Sequence, residues 1–490
     1  MLPSALPGPL PGPHHRRPPT RRFTPLKQES PNTATEPHTA SEGISPEANL
    51  KSENEIDVLI LGAGMAGLVA ARALAERNLR VCVLEARNRV GGRILSQRVE
   101  GGGTVELGAE FIHGRAPELW ALIDEAGAST TERDGSMLRE QPGQGLTNDD
   151  PEDVSMFEPL EKLEDFSGDD QTFAEWLAAS DVDQHLRPAL TAYVEGFNAA
   201  DAQRISVHSL GAQQKAEDTT EGDRSWHLLG GYAQLAGYLA ARVQELGGDL
   251  RLGSEVLSLR WTPCNVSVHT TLGDFSARQC IVTLPLGVLQ QVNQPSGLRI
   301  DPEPRAIAHA RRLAMGHASR FTMVFRTPWW ETSSLLDKDA LRAMSFLFTS
   351  KRMPPVWWTS RPESETLPTL TGWAGGPRAS ALQAKSAEEL GAEACATLAE
   401  IFSLDEDTVR SSLVATYTHD WSTDPFSRGA YSYVPSGAMD ASAAMAQPEA
   451  ETLFFAGEHT DVTANWGTVQ AAILSGLRAA TQILKETPTS

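Results

Sequence analysis

The chain has 490 residues, more than one hydrophobic core usually supports, and 40% of them are hydrophobic, so two cored domains are expected. A formal net charge of -21 excludes a general affinity for nucleic-acid backbones or anionic membranes and mildly favours cationic ligands, amines among them. There is no apolar run of about 18 residues, which excludes a spanning helix, and the scattered Cys82, Cys264, Cys280 and Cys395 form no CxxC pair, which argues against a zinc site or disulfide framework and suits a reducing, cytoplasmic compartment.

Residues 1–54 are rich in Pro, Ser, Thr and His, lack apolar periodicity and are expected to be disordered. Thr20-Arg21-Arg22-Phe23 resembles a twin-arginine export signal, but polar Gln28-Glu29-Ser30-Pro31-Asn32 stands where an apolar stretch belongs, so export is not expected. Order is expected from Ile56. Ile56–Leu61 reads as a buried parallel strand, Met65–Arg77 as a helix with Leu68, Ala71 and Leu74 at helical spacing, and Val81–Leu84 as a second strand, together one βαβ unit.

Thr147–Asp170 is acidic and reads as a solvated loop. Pro188–Phe197 and Tyr232–Leu246 read as helices, with a mixed region between them up to Trp226. Val256–Val268 and Phe275–Leu284 alternate like strands of a small sheet. Phe321–Phe325 is a strand ending at Pro328-Trp329-Trp330, Ala387–Phe402 an amphipathic helix, Val409–Tyr417 a strand, Leu453–Ala456 a short buried strand and Thr468–Leu484 a final helix. Trp329-Trp330 and Trp357-Trp358 read as core, with one of them beside a channel. The alternation of strands and helices argues an α/β fold.

Between the first strand and its helix lies Gly62-Ala63-Gly64-Met65-Ala66-Gly67. Gly62 permits a tight turn, Gly64 lets the backbone approach a pyrophosphate, and Gly67 lets helix and strand pack closely. The helix N-terminus, with Ala66 in its first turn, offers free N–H groups and a positive dipole end to phosphates. Glu85 closes the second strand 21 residues after Gly64, where a carboxylate accepts from ribose hydroxyls and repels a 2′-phosphate. Ala86-Arg87-Asn88-Arg89-Val90-Gly91-Gly92-Arg93 follows; paired glycines flanked by arginines suit a loop that wraps an extended FAD better than NAD, with Arg93 as a pyrophosphate clamp.

With Glu106-Leu107-Gly108-Ala109-Glu110-Phe111-Ile112-His113-Gly114, Val282-Thr283-Leu284-Pro285-Leu286-Gly287-Val288-Leu289 and Leu453-Phe454-Phe455-Ala456-Gly457-Glu458-His459-Thr460, the chain resembles the flavin-containing amine oxidase family, which includes monoamine oxidases, polyamine oxidases and histone lysine demethylases. The resemblance implies an α/β fold: a doubly wound, Rossmann-type FAD-binding domain from 56–115, 227–305 and 420–490, and a discontinuous α+β substrate domain from 116–226 and 306–419. It implies FAD contacts from Glu85, Ala86, Arg87, Gly92, Arg93 and Val256 at the adenosine and diphosphate half. Gly108, Ala109, Glu110 and Phe111 would lie against the ring, Gly457 and Glu458 at the ribityl chain or diphosphate, with Trp421 nearby. The final helix, entered at Thr468 and Val469, would oppose the charge of reduced flavin with its dipole.

The same resemblance assigns the chemistry. Hydride passes from the carbon next to a neutral amine to the flavin, oxygen regenerates FAD, and peroxide is released. Tyr431 matches one aromatic wall beside the substrate nitrogen; the opposite wall aligns with Thr468, and Trp466 compensates. His113, in the context Gly-Ala-x-x-x-His-Gly, would face the substrate and accept a proton near neutral pH. Ala430 stands where monoamine oxidases carry a flavin-linking cysteine, so FAD is expected to be non-covalent. Arg320 stands where the family has a lysine joined through water to the flavin; an arginine donates hydrogen bonds but stays charged and accepts no proton. Glu110-Phe111-Ile112 lacks the arginine with which L-amino acid oxidases pair a carboxylate, so an amine without one is expected, acting with oxygen on a monomer or homodimer that needs no metal. Two alternatives stay open: a desaturase resembling protoporphyrinogen oxidases, and a flavin-stabilised, non-catalytic binding protein.

Overall fold

Ile56–Leu61 (β1) buries both of its faces: Val58 and Ile60 enter one apolar layer, Leu59 and Leu61 the layer on the other side. That is why the run is continuously apolar rather than alternating. Gly62, at φ +108°, turns the chain into helix α1 (Met65–Ala75), and β2 (Val81–Leu84) returns parallel to β1. The computed structural model describes residues 56–99, 103–141, 145–149, 157–349, 351–360 and 367–486; the expected disordered segment 1–54 lies outside them.

The chain then leaves this sheet. It forms β3 (Phe111–His113), the hairpin of β4 (Ser136–Gln141) and β5 (Gly145–Asp149), helix α2 (Arg187–Asn198) and β6 (Ser225–Leu228). Helix α3 (Ala233–Glu245) leads back to β7 (Asp249–Arg251), the meander β8 (Val256–Thr262), β9 (Asn265–Thr270) and β10 (Gly273–Val282), and β11 (Arg299–Asp301). A second departure gives β12 (Ala318–Phe325), β13 (Met344–Thr349), β14 (Val356–Ser360), β15 (Thr369–Gly375), helix α4 (Ala387–Phe402) and β16 (Leu413–Thr418). The chain closes with β17 (Leu453–Phe455) and helix α5 (Val469–Glu486).

The first sheet runs β7-β2-β1-β10-β9-β8-β11, with β17 beside β10. Its β7, β2, β1, β10 and β17 are parallel, while β8, β9 and β10 form an antiparallel meander. Helices α1, α3 and α5 pack together on one face. The second sheet runs β16-β12-β15-β14-β13-β4-β5, antiparallel except for β13 beside β4, and α4 covers it. The outcome is the expected class, a Rossmann-type parallel sheet with a discontinuous α+β layer.

Three local readings are corrected. Val409–Tyr417 is not one strand: Glu406–Ser412 is helical, and the strand starts at Leu413. Glu406 and Asp407 sit in that helix's first turn, where the dipole favours carboxylates. The mixed region before Trp226 holds a helix, Val207–Asp218, whose N-cap Ser206 accepts from the Ser209 N–H at 3.1 Å. The acidic stretch 147–170 carries the end of β5 and a short helix, Glu158–Glu161, with 150–156 outside the described residues. Among the described residues no helix is long and apolar enough to cross a membrane.

Candidate active site

A single cavity of about 2000 Å³ runs along the carboxyl ends of the parallel strands and on toward the second sheet. Pockets for small ligands usually hold about 300–1,000 Å³, so there is room for an extended cofactor and a second molecule. Every residue expected at the site lines it except Gly67. Gly67 serves packing instead: a Cβ there would lie 2.0 Å from the Gly62 carbonyl oxygen.

At one end stands the glycine turn. A Cβ on Gly64 would meet nothing within 4 Å, so the first turn of α1 opens onto free space. The first-turn N–H groups of a helix have no acceptor within the helix and suit an anion there. Glu85, 4% exposed, accepts the Ala63 N–H at 2.8 Å and the Arg87 N–H at 2.9 Å. About two of its four acceptor positions remain for a ligand. Gly92 (φ +59°) brings the next loop back over the turn, its Cβ position 3.4 Å from Gly64 Cα. Ala86 and Val256 complete this wall. The open cradle, the carboxylate and the doubled-back loop fit an adenine dinucleotide.

Several of the expected ligands, all lining the cavity, also brace its wall. Arg87 donates to Asp424 at 2.6 Å and to Ser427 at 3.0 Å. Arg93 donates through Nη1 to Glu458 at 2.8 Å and to the Ala430 carbonyl at 2.9 Å. Glu458 also accepts from Ser432 Oγ at 2.5 Å, the Ser432 N–H at 3.3 Å and the Gly467 N–H at 3.0 Å, so its carboxylate is filled by protein donors. Burial acts to raise its pKa, but the Arg93 charge and these donors outweigh it and hold it below the usual carboxylate range. Gly108 is a packing glycine: a Cβ there would lie 1.9 Å from the Arg93 carbonyl oxygen. The Trp421 indole donates to Leu107 O at 2.7 Å, and the Trp466 indole to Asp461 O at 3.1 Å. Thr468 caps α5, its Oγ1 accepting from the Ala471 N–H at 3.1 Å, so the first turn with Val469 borders the cavity.

At the other end the wall is charged and aromatic. Arg320 on β12 donates through Nη2 to Glu110 at 2.6 Å and through Nη1 to Gly108 O at 2.7 Å. Both side chains are 4% exposed. The other Glu110 oxygen accepts from the Trp358 indole at 3.2 Å and lies 3.5 Å from His227 Nδ1. Phe111 packs edge-on to His227, with ring centres 5.0 Å apart. Tyr431 donates its hydroxyl to Phe197 O at 2.7 Å, which fixes the ring in the wall beside Ala109 and Ala430. Room for that ring comes from Gly467, whose Cβ position lies 3.0 Å from Tyr431 Cδ2.

His113 lines the cavity, but burial, reinforced by the Arg133 charge, pushes its imidazole down to about 4. It stays neutral and is a weak base, against the expectation of proton exchange near neutral pH. Two participants escaped the sequence reading. His227 reaches Glu110 because β6 pairs with β3 in the register Phe111↔His227. Arg133 packs on the rings of Phe346 and Phe111, 3.8 and 4.9 Å from their centres. No local motif marks either; only strand pairing brings them in.

The chain matches the model of the family described as flavin containing amine oxidoreductase over residues 65–484. It is 27% identical over 455 residues to lysine-specific histone demethylase 2 of Homo sapiens, covering 88% of this chain and 54% of that one. It is 27% identical over 471 residues to polyamine oxidase 4 of Oryza sativa subsp. japonica, covering 87% of this chain and 88% of that one. The chain thus spans about half the length of its histone demethylase relatives. Among solved structures, a putrescine oxidase bound to putrescine aligns with TM-score 0.73 at 22% identity, covering 88% of this chain and 99% of that one. Cyclohexylamine oxidase from Brevibacterium oxydans IH-35A aligns with TM-score 0.74 at 21% identity, with the same coverage; these two likenesses speak for the fold. With the match running from the first turn of α1 to the last turn of α5, the chain belongs to the flavin containing amine oxidoreductase family, and FAD is the cofactor this cavity is built for.

Proposed function

We propose that the chain is an FAD-dependent amine oxidase that acts on a primary, secondary or polyamine, giving an imine or aldehyde and hydrogen peroxide. One observation carries the reading: the dinucleotide cradle and the aromatic, charge-paired wall belong to the same cavity, so cofactor and a small substrate share one continuous space. Bound there without a covalent link, FAD would supply the acceptor for a hydride from the carbon next to nitrogen, with oxygen taking up the electrons. None of the four cysteines lines the cavity, and Ala430 occupies the wall.

The chain's own residues would bind, orient and dry the amine. Gly64, Ala66, Glu85, Ala86, Gly92 and Val256 would hold the adenosine and diphosphate half. Gly108–Phe111, braced by Trp421 and Arg320, would form the floor at the other half. Tyr431, held by Phe197 O, would present a fixed ring face, with Trp466 and Thr468 close to the start of α5. Apolar surroundings disfavour the ammonium form, and the neutral amine is the one whose lone pair assists hydride loss. His113, already neutral, adds no charge to oppose it. Arg320 is paired with Glu110, so it is not available to bind a substrate carboxylate. Cytoplasmic residence, a monomeric or homodimeric state and the lack of a nucleic-acid partner belong to the same proposal, supported by the net charge of -21 and the free cysteines.

The test is anaerobic addition of mono-, di- and polyamines to the purified yellow protein, followed by air. Bleaching by at least one amine and one peroxide per turnover are expected. If no amine bleaches the flavin while a porphyrinogen or polycyclic alkene does, the desaturase reading replaces this one.

A further inference from the structure

Glu110 and Arg320 face each other inside the cavity wall, at 2.6 Å, with almost no solvent access. In such surroundings little water screens a charge, so an ion there acts on its neighbours much more strongly than at a surface. The geometry around Glu110 is specific. Its Oε2 takes Arg320 Nη2, its Oε1 takes the Trp358 indole at 3.2 Å, and His227 Nδ1 stands 3.5 Å away. Arg320 Cζ lies 5.6 Å from the Trp358 ring centre, and Nη1 holds Gly108 O, so the guanidinium has one orientation. Gly108 and Glu110 are themselves cavity-lining residues on either side of Ala109. The pair therefore ties β12 to the segment that forms the cavity floor.

The remaining charged groups nearby do not take over the role of Glu110. Arg133, stacked on Phe346 and Phe111 and bonded to Ser345, adds a second buried cation that also feels the Glu110 charge and supplies no anion of its own. His227 is driven toward its neutral form by burial. Glu106, whose carboxylate accepts from Ser96 and from the Tyr232 N–H at 2.6 Å, is pushed up to about 7 by burial.

We infer that Glu110 is a positioning residue that orients Arg320 and cancels its charge at the cavity wall, and so sets how strongly the site favours reduced over oxidised FAD. An arginine alone would draw negative charge onto the cofactor; the paired arginine keeps its donors and loses most of that pull. This rests on the reading that the flavin end of FAD occupies the Arg320 end of the cavity. It does not depend on which amine is oxidised, and the potential is measured with no amine present, so its failure leaves the oxidase reading standing.

The experiment is a dye-coupled redox titration of the FAD-loaded full chain. Glu110→Gln keeps the shape and an acceptor for Arg320 but removes the charge; it is expected to favour reduced FAD about tenfold, a rise of about 30 mV for a two-electron couple. Arg320→Gln is expected to move the potential about as far the other way, and the double variant to lie within about threefold of wild type. Trp358→Phe, which removes a donor but no charge, is expected to stay within the same range. A residue that only supported the fold would loosen FAD in both single variants without opposite shifts. An unchanged or lowered potential in Glu110→Gln overturns the inference. Should that variant not fold, Arg320→Gln decides alone: a fall supports it, and an unchanged or raised potential overturns it.

Discussion

At the glycine end of the cavity the wall is one local stretch, residues 62–93, shaped by backbone sterics; at the Arg320 end it is Glu110, Arg320 and Trp358, with His227 behind Glu110, brought together from the small sheet that holds β3 and β6 and from the second sheet. The first end owes its form to missing side chains. The second depends on full-length polar side chains that must find one another after the sheets have assembled. A cradle made by glycines tolerates small local changes where space is open and none where helix meets strand. A buried ion pair tolerates loss of both partners better than loss of one.

The sharpest way to break that comparison is Arg320→Met, which leaves Glu110 buried without its partner. It is expected to cost about 3–5 kcal/mol in urea unfolding. A loss under about 1 kcal/mol would mean the pair is not the buried feature described. Next comes Gly67→Ala, whose Cβ would lie 2.0 Å from Gly62 O; overpacking of about 1–3 kcal/mol is expected in the same assay.

His113 gives a pH-dependent contrast. Its folded value, depressed to about 4 from the ordinary 6.5, means the neutral form is the one the fold accommodates. The stability it contributes is fully present above pH 6.5 and is lost as pH falls toward 4. Between pH 6.5 and 5 a loss of about 1.5 kcal/mol is expected, absent in His113→Asn, with no activity limb near neutrality from this residue. The smallest effect on folding is at Gly64. Since its Cβ position is empty, Gly64→Ala should unfold within about 0.5 kcal/mol of wild type, yet bind FAD about tenfold more weakly because the backbone can no longer approach the diphosphate. Equal FAD affinity, read by fluorescence quenching, would remove the phosphate contact from the account.

The glycine end was legible because its determinants are local. Gly62, Gly64, Gly67 and Glu85 stand at spacings fixed by one strand, one turn and one helix, and the structure keeps those spacings. Helix Ala387–Phe402 was legible for the same reason: Ser386 and Glu389 cap it reciprocally, and its apolar stripe ends at Phe402. At the Arg320 end the residues were legible singly, Glu110 beside the ring and Arg320 as a departure, but their pairing was not. Nothing near Arg320 names Glu110, 210 residues away, or Trp358; their meeting is decided by β12 docking on the floor segment and by the order of the second sheet. Glu458 shows the opposite limit: it lines the cavity as expected, while its carboxylate also accepts from Arg93, Ser432 and Gly467. Sequence showed the right residue in the right place and could not show that its acceptor positions were taken.

The most direct measurement is a crystal structure of the chain with FAD bound and an amine soaked in anaerobically. The account predicts the ribose at Glu85, the diphosphate over the first turn of α1, and the ring against Gly108–Phe111 with the amine between it and Tyr431. A cofactor lying with its ring at Glu85, or an amine seated away from the Arg320 end, would contradict it.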